Sequence, residues 1–222
     1  MSFLSQLIIN YGIPQETLVL LLMLPIIATV IAFARQIIGI KGFGIYTPLI
    51  ISITFVLTGI KYGLIIFTTV LLVGTLTRLA INKLKLRLLY LPRIAIIIIA
   101  VAVSIIPLFL ISARYYKKGL TQTSVFAVLI MITLIEKFLA SQIKRGGKEA
   151  AALILETLLL STFCYYLASW TLLQNTALRY PFWIITISLA SNLFLGRWTG
   201  LRLYEYFRFK EVIKRVELPD KK

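Results

Sequence analysis

Residues 17–34 read TLVLLLMLPIIATVIAFA, and Arg35 follows them directly. This uncharged run is close to the ~20 residues that a helix needs to cross the hydrocarbon core of a bilayer. The chain carries seven such runs, each 16 to 22 residues long: Thr17–Ala34, Ile45–Ile60, Tyr62–Thr77, Ile94–Ala113, Gly119–Ile135, Thr157–Leu178 and Tyr180–Gly196. The pattern predicts an all-α polytopic membrane protein with seven transmembrane helices.

The basic residues gather in every second connection between these runs. Of the 24 Lys and Arg residues, 19 fall on one side of the predicted membrane and 5 on the other. Because cytoplasmic segments are enriched in Lys and Arg, the richer side is predicted to be cytoplasmic. Residues 1–16 then form a short extracytoplasmic N-terminus and residues 17–196 the seven-helix domain. Residues 197–222 form a cytoplasmic tail, which is basic, aromatic and amphipathic.

Composition supports the lipid bilayer as the main partner. The chain is 59% hydrophobic and 14% charged, which leaves a soluble globule too little polar surface. Its net charge of +16 could indicate nucleic acid, but the charges adjoin apolar spans. Contact with anionic headgroups explains them better, so no nucleic-acid partner is predicted.

Residues suited to catalysis are scarce. The chain has no His and a single Cys, Cys164, which lies within an apolar run. No close set of acidic residues and no phosphate-binding Gly-Lys-Ser/Thr loop is present. We therefore predict that the protein is not an enzyme and that it has no metal and no cofactor.

The second run is interrupted near its start. Residues 39–48 read GIKGFGIYTP, and three glycines make a regular helix unfavourable there. Thr47 is predicted as the N-cap and Pro48 as the first helical residue. The remaining 13 residues, Pro48–Ile60, span roughly 20 Å and are too short to cross alone. The glycine-rich stretch is expected to dip into the membrane where protein or water covers its backbone.

The fifth run repeats this design in residues 119–124, GLTQTS, with Ser124 as a cap. Spans one to three and four to six would then be inverted copies, a 3+3 repeat with broken second and fifth helices. The alternative is two poorly formed helices with capping residues. Each break would expose the positive end of a helix, which suits a carboxylate.

Other polar residues within or beside the spans have competing interpretations. Glu156 should face the bundle interior with a partner or be protonated, because burial of a charge in a membrane is costly. Ser188, Asn192, Gly196 and Gly200 form a small polar stripe, for which helix packing is favoured over ligand contact. A charge network at the cytoplasmic boundary is also predicted, with structural ion pairing as the alternative: Arg35, Lys41, Glu136, Arg197, Arg202 and Glu205.

Several motifs resemble a bacterial seven-helix module that is usually fused to an inactive transglutaminase-like domain. The matching segments are residues 13–14, 24–29, 35–41 and 43–48, Ile135–Phe138 and residues 196–209. Lys137 stands where that module is expected to carry Arg. The resemblance runs from about residue 12 to 213.

This resemblance implies a multi-pass protein of the bacterial inner membrane. It implies a transglutaminase-like or protease-like partner outside the membrane and a cytoplasmic ATP-grasp ligase. Only about 16 residues precede the first span, so we expect either a stand-alone version or one without its soluble part. A fainter resemblance, in residues 42–59 and 125–166, is to the membrane subunit of poly-gamma-glutamate capsule synthesis.

Two functions follow from these features. One is a non-enzymatic subunit that docks the ligase and couples it to extracytoplasmic peptide handling. The other is a transporter or export conduit for an anionic, glutamate-rich peptide. A second copy of the chain is a further partner that the sequence leaves open. The residues predicted to bind a substrate or partner are Arg35, Gln36, Lys41, Gly42, Gly44, Thr47, Pro48, Ser124, Glu136, Glu156, Arg197, Arg202 and Glu205.

Overall fold

A computed structural model describes residues 14–85, 88–115 and 125–197. Within these ranges the chain forms helices, turns and loops, and no strand. Helix α1 (Gln15–Phe33) continues into a π-helix (Ala34–Ile38). The remaining helices are α2 (Tyr46–Thr58), α3 (Ile60–Lys83), α4 (Tyr90–Tyr115), α5 (Val125–Arg145), α6 (Gly147–Ala168), α7 (Thr171–Arg179) and α8 (Pro181–Arg197).

Most of these helices are long and apolar enough to cross a membrane. In the described part of the chain five segments qualify by length and composition: Gln15–Ile38, Ile60–Lys83, Tyr90–Ile111, Val125–Arg145 and Gly147–Ala168. Helices α7 and α8 would form one further span, bent by 105°, and α2 is a shorter apolar helix. The predicted all-α polytopic membrane fold is confirmed.

The sixth helix differs from its predicted bounds. It starts at Gly147 instead of Thr157 and ends at Ala168. Trp170 is extended, with φ −74° and ψ 110°, and the separate helix α7 follows it. An uncharged run marks the part of a helix that suits hydrocarbon, whereas α6 also includes Lys148, Glu149 and Glu156. The sequence also predicts Glu149 in the first turn of the sixth helix, which is correct, whereas the predicted run merged α7 with the end of α6.

The chain divides into two compact units. The first contains Met1–Ile45 and Trp170–Lys222, and in its described part α1 packs against α7 and α8. The second contains Tyr46–Ser169. There α2 packs against α6, and α3 packs against both α4 and α5.

Buried aromatic and aliphatic side chains form the core of the second unit. Phe55, Ile66 and Ile135 have 1% or less of their surface exposed. The rings of Phe67 and Phe138 meet edge to face, with centroids 5.6 Å apart and planes at 80°, a favourable geometry for aromatic pairs. These contacts fix α3 against α5.

Small hydroxyl residues are buried on α2 and α6. Ser52, Thr54 and Thr58 on α2 donate to the carbonyls of Leu49, Ile50 and Thr54, at 2.8 to 2.9 Å. On α6, Thr157 and Ser161 donate to Leu153 and Thr157, both at 2.7 Å. Each hydroxyl is therefore satisfied within its own helix. Their small size suits the close packing of the two helices.

Gly74 marks a close approach between α3 and α5. A Cβ added there would lie 2.5 Å from Ile135 Cδ1 and 2.6 Å from Ile135 Cγ1. Since Ile135 is fully buried, we expect Gly74→Ala to lower the free energy of unfolding by about 1–3 kcal/mol, as overpacking does. The measurement is the thermal unfolding midpoint in detergent.

Gly196→Ala is the matched control, because in the described part of the chain no atom outside the local helix backbone lies within 4 Å of a Cβ added to that helical glycine. Alanine is favoured over glycine in a helix interior by roughly 0.5–1 kcal/mol, so this variant should unfold at or slightly above the wild-type midpoint. Equal midpoints for the two variants would show that α3 and α5 are not in close contact.

Candidate functional site

The end of α1 widens into the π-helix and stops at Gly39. The backbone N–H groups of Gly39 and Ile40 both donate to the Ala34 carbonyl, at 3.0 and 3.3 Å. Gly39 adopts φ 94° and ψ 20°, the left-handed conformation that commonly ends a helix. The break predicted at this point in the sequence is therefore present.

Residues 39–45 form no helix, and their turn lies close to Arg35, one of the residues predicted for the site. Gly44 has φ 70°. A Cβ added to it would lie 3.6 Å from Nη1 of Arg35, so the half-buried guanidinium lies over this turn. Lys41 is exposed in the same loop. The structure thus brings Arg35 and Gly44 together, two residues predicted for the site.

Gln36 connects the π-helix to the end of α8. Its Nε2 donates to the Leu195 carbonyl at 3.3 Å. Leu195 is buried near the end of the described part of α8. This hydrogen bond therefore connects the π-helix to α8.

A second polar contact joins α1 to α8. Asn192 Nδ2 donates to Thr29 Oγ1 at 2.7 Å and to the Ser188 carbonyl at 2.8 Å. Thr29 in turn donates to the carbonyl of Pro25, at 2.7 Å. The packing role predicted for the stripe is correct at Ser188, which is buried, and at Asn192. Gly196 is exposed, and Gly200 lies outside the described residues.

Helix α2 begins at Tyr46, so Thr47 lies in its first turn and is not the N-cap that the sequence predicted. The predicted length of 13 residues is correct. Thr47 is fully buried, and its Oγ1 has no hydrogen-bond partner within the described ranges, while Pro48 is also buried. Ser124, the corresponding residue of the fifth helix, lies outside the described residues, as does the whole predicted lead-in at 119–124.

A cluster of polar side chains joins α3 to α5 in the second unit. Arg78 Nη1 donates to Gln142 Oε1 at 2.8 Å. The Nε2 of Gln142 donates to Thr75 Oγ1 at 3.1 Å. Nearby, a nitrogen of Arg93 on α4 donates to Asn82 Oδ1. We call Thr75, Arg78, Asn82, Arg93 and Gln142 the arginine cluster.

Glu136 is exposed on α5 and accepts a hydrogen bond from the Tyr90 hydroxyl at 3.1 Å. Glu156 is half-buried on α6, and Arg197 is exposed at the end of α8. Arg202 and Glu205 lie outside the described residues. The predicted charge network thus has Arg35, Lys41 and Arg197 in the first unit and Glu136 in the second. It stays a prediction.

The arginine cluster was not foreseen as a site, since Arg78 and Arg93 counted only toward the charge of the connections. A signal was available in the spacing of Thr75, Arg78 and Asn82. Residues three and four apart lie on one face of a helix, so these three form a polar face at the end of an apolar span.

In the ranges that the structure describes, no group of three or more His, Cys, Asp and Glu side chains could hold a metal ion. A family model described as seven transmembrane helices usually fused to an inactive transglutaminase matches residues 3–213. No curated protein and no solved structure matches the chain. The family match covers every residue that the structure describes.

Proposed function

Because the chain belongs to the family of seven transmembrane helices usually fused to an inactive transglutaminase, we propose that it is a non-enzymatic membrane subunit. It couples a cytoplasmic ATP-grasp type amide ligase to peptide handling outside a bacterial cytoplasmic membrane. The observation that carries this proposal is the family match over residues 3–213. A transglutaminase fold that has lost catalysis can still bind peptide, and a membrane helix bundle can hold it beside the ligase.

The connection between α5 and α6 is the docking surface that we assign to the ligase. Lys144, Arg145 and Lys148 are exposed around Gly146, where one helix ends and the next begins. The distribution of Lys and Arg predicts that this connection is cytoplasmic. A fixed basic surface would attract an acidic patch on a soluble partner and orient it during association.

The alternative is a conduit for an anionic, glutamate-rich peptide. The non-helical residues 39–45 and the start of α2 at Tyr46 favour it, since broken helices with exposed N-termini bind anionic groups in transporters. Arg35 and Lys41 would add positive charge to such a path. Gly42 and Gly44, which have no side chains, would leave room for the peptide along this path.

The two functions differ in what the chain does alone. Vesicles that contain only this protein should release a preloaded, labelled oligoglutamate no faster than protein-free vesicles, because a scaffold provides no path. The measurement is efflux of the label with time. Efflux that requires the protein and is abolished by Gly42→Leu with Gly44→Leu would instead establish the conduit and contradict the scaffold.

A further inference from the structure

The arginine cluster brings two arginines to one end of α3, α4 and α5, where Arg93 donates to Asn82, four residues after Arg78 on α3. Arg78 lies near the C-terminus of α3, Arg93 in the first turn of α4, and Gln142 near the C-terminus of α5. The hydrogen bonds found for both guanidiniums in the described residues go to side-chain amide oxygens, which carry no charge.

Both arginines also keep donors unused. The Nε atoms of Arg78 and Arg93 are each buried, and neither has a hydrogen-bond partner among the residues that the structure describes. A buried donor without a partner is costly, and a half-buried cation without a counter-charge adds to that cost. An anion that accepted hydrogen bonds from both groups would remove both penalties.

From this geometry we propose that the arginine cluster binds a phosphate group. Guanidinium groups match phosphate oxygens with pairs of parallel hydrogen bonds. Two of them on neighbouring helices can hold one phosphate, while Gln142 and Asn82 each accept a hydrogen bond from one guanidinium. The site is independent of ligase docking, which involves Lys144, Arg145 and Lys148.

The surroundings favour a phospholipid headgroup as the source of the phosphate. Leu84, Leu89 and Leu91 beside the cluster are exposed by 69%, 79% and 76%. Lys83 and Lys85 are exposed in the same connection. Exposed leucines interleaved with lysines suit the level where acyl chains meet headgroups, and basic pockets at that level bind anionic lipids.

The test uses the purified full chain in a nonionic detergent. Native mass spectrometry measures the affinity for phosphatidylglycerol and, in a separate titration, for diacylglycerol, which has the same acyl chains and no phosphate. In parallel, inorganic phosphate is titrated without lipid, and the thermal unfolding midpoint is recorded. The variants are Arg78→Gln, Arg93→Gln and their combination, with Arg145→Gln as the control for loss of an exposed arginine on the same predicted side.

We expect the double variant to bind phosphatidylglycerol about tenfold or more weakly, since each lost guanidinium removes a charge-assisted contact. Arg145→Gln should change binding less than about twofold, as exposed charges contribute little. If phosphatidylglycerol binding depends on both arginines and inorganic phosphate has no effect, the source is a lipid. If millimolar phosphate stabilises the wild type but not the double variant, and the lipid adds nothing, the site takes a free phosphate group.

Equal phosphatidylglycerol affinities for the wild type and the double variant would overturn the site, as would an equal loss in Arg145→Gln. Should the double variant fail to fold, Arg93→Lys serves in its place. It keeps the charge but loses the forked donor geometry. A phosphate site therefore predicts weaker binding of phosphatidylglycerol to this variant. A purely electrostatic surface predicts the same affinity as the wild type.

Discussion

A cysteine at Asn175 is expected to react with a membrane-impermeant maleimide added to intact spheroplasts, whereas a cysteine at Lys144 should react only after lysis. Asn175 lies on α7 and Lys144 in the last turn of α5, and both are exposed. The excess of Lys and Arg predicts that the α5–α6 connection is cytoplasmic and the α7 region extracytoplasmic. The difference should be close to all or none, because the bilayer blocks the reagent.

The background for this labelling is Cys164→Ala. Cys164 is the single cysteine of the chain and is fully buried, so its removal leaves no competing thiol. Lysed spheroplasts show that both new thiols are reactive. Labelling of Lys144→Cys in intact spheroplasts would reverse the predicted orientation and remove the basis for a cytoplasmic docking surface.

The second large effect is expected from reversing the charges of the docking surface. If the proposed ligase co-purifies with the chain, changing Lys144, Arg145 and Lys148 together to Glu should reduce its recovered ATP-dependent activity by about tenfold or more. Like charges that face each other across a steered interface weaken association by at least that factor. The measurement is ADP release that requires added glutamate, normalised to the amount of chain recovered.

The matched control reverses three exposed charges on the side predicted to be extracytoplasmic: Lys61, Arg114 and Arg179. This triple variant changes the net charge equally but should leave the co-purifying activity within about twofold of wild type, because charges that a partner does not contact affect binding little. Labelling at Asn175 checks that neither triple variant has changed its orientation. An equal loss in both would mean that net charge, and not a docking surface, controls recovery.

The fold class could be predicted because the bilayer restricts what a chain can do. Uncharged runs of this length must satisfy their backbone polar groups internally, which makes them helices. Helix ends depend on more than hydropathy. The first turn of α6 at Glu149 was predictable because acidic side chains favour the N-terminal end of a helix. The separate α7 was missed because the break at Ser169 and Trp170 carries no glycine or proline.

Some features of the candidate sites could likewise be predicted from the sequence, and others could not. The interruption at residues 39–45 was predictable, because glycine and proline act locally on the backbone. The contact between Arg78 and Gln142 joins residues 64 positions apart. It depends on how α3 and α5 rotate and pack, which no local pattern specifies. The hydrogen bond from Gln36 to the Leu195 carbonyl is likewise a contact between distant segments.

The most direct measurement isolates the wild-type chain from its native membrane in a mild detergent and tests the eluate for an amide ligase. We expect ADP release that requires glutamate, elutes at the same volume as the chain, and exceeds that of an unrelated multi-helix membrane protein prepared in parallel. A preparation in which ADP release is independent of glutamate, or equals that of the unrelated protein, would contradict the proposal that this chain is the membrane partner of such a ligase.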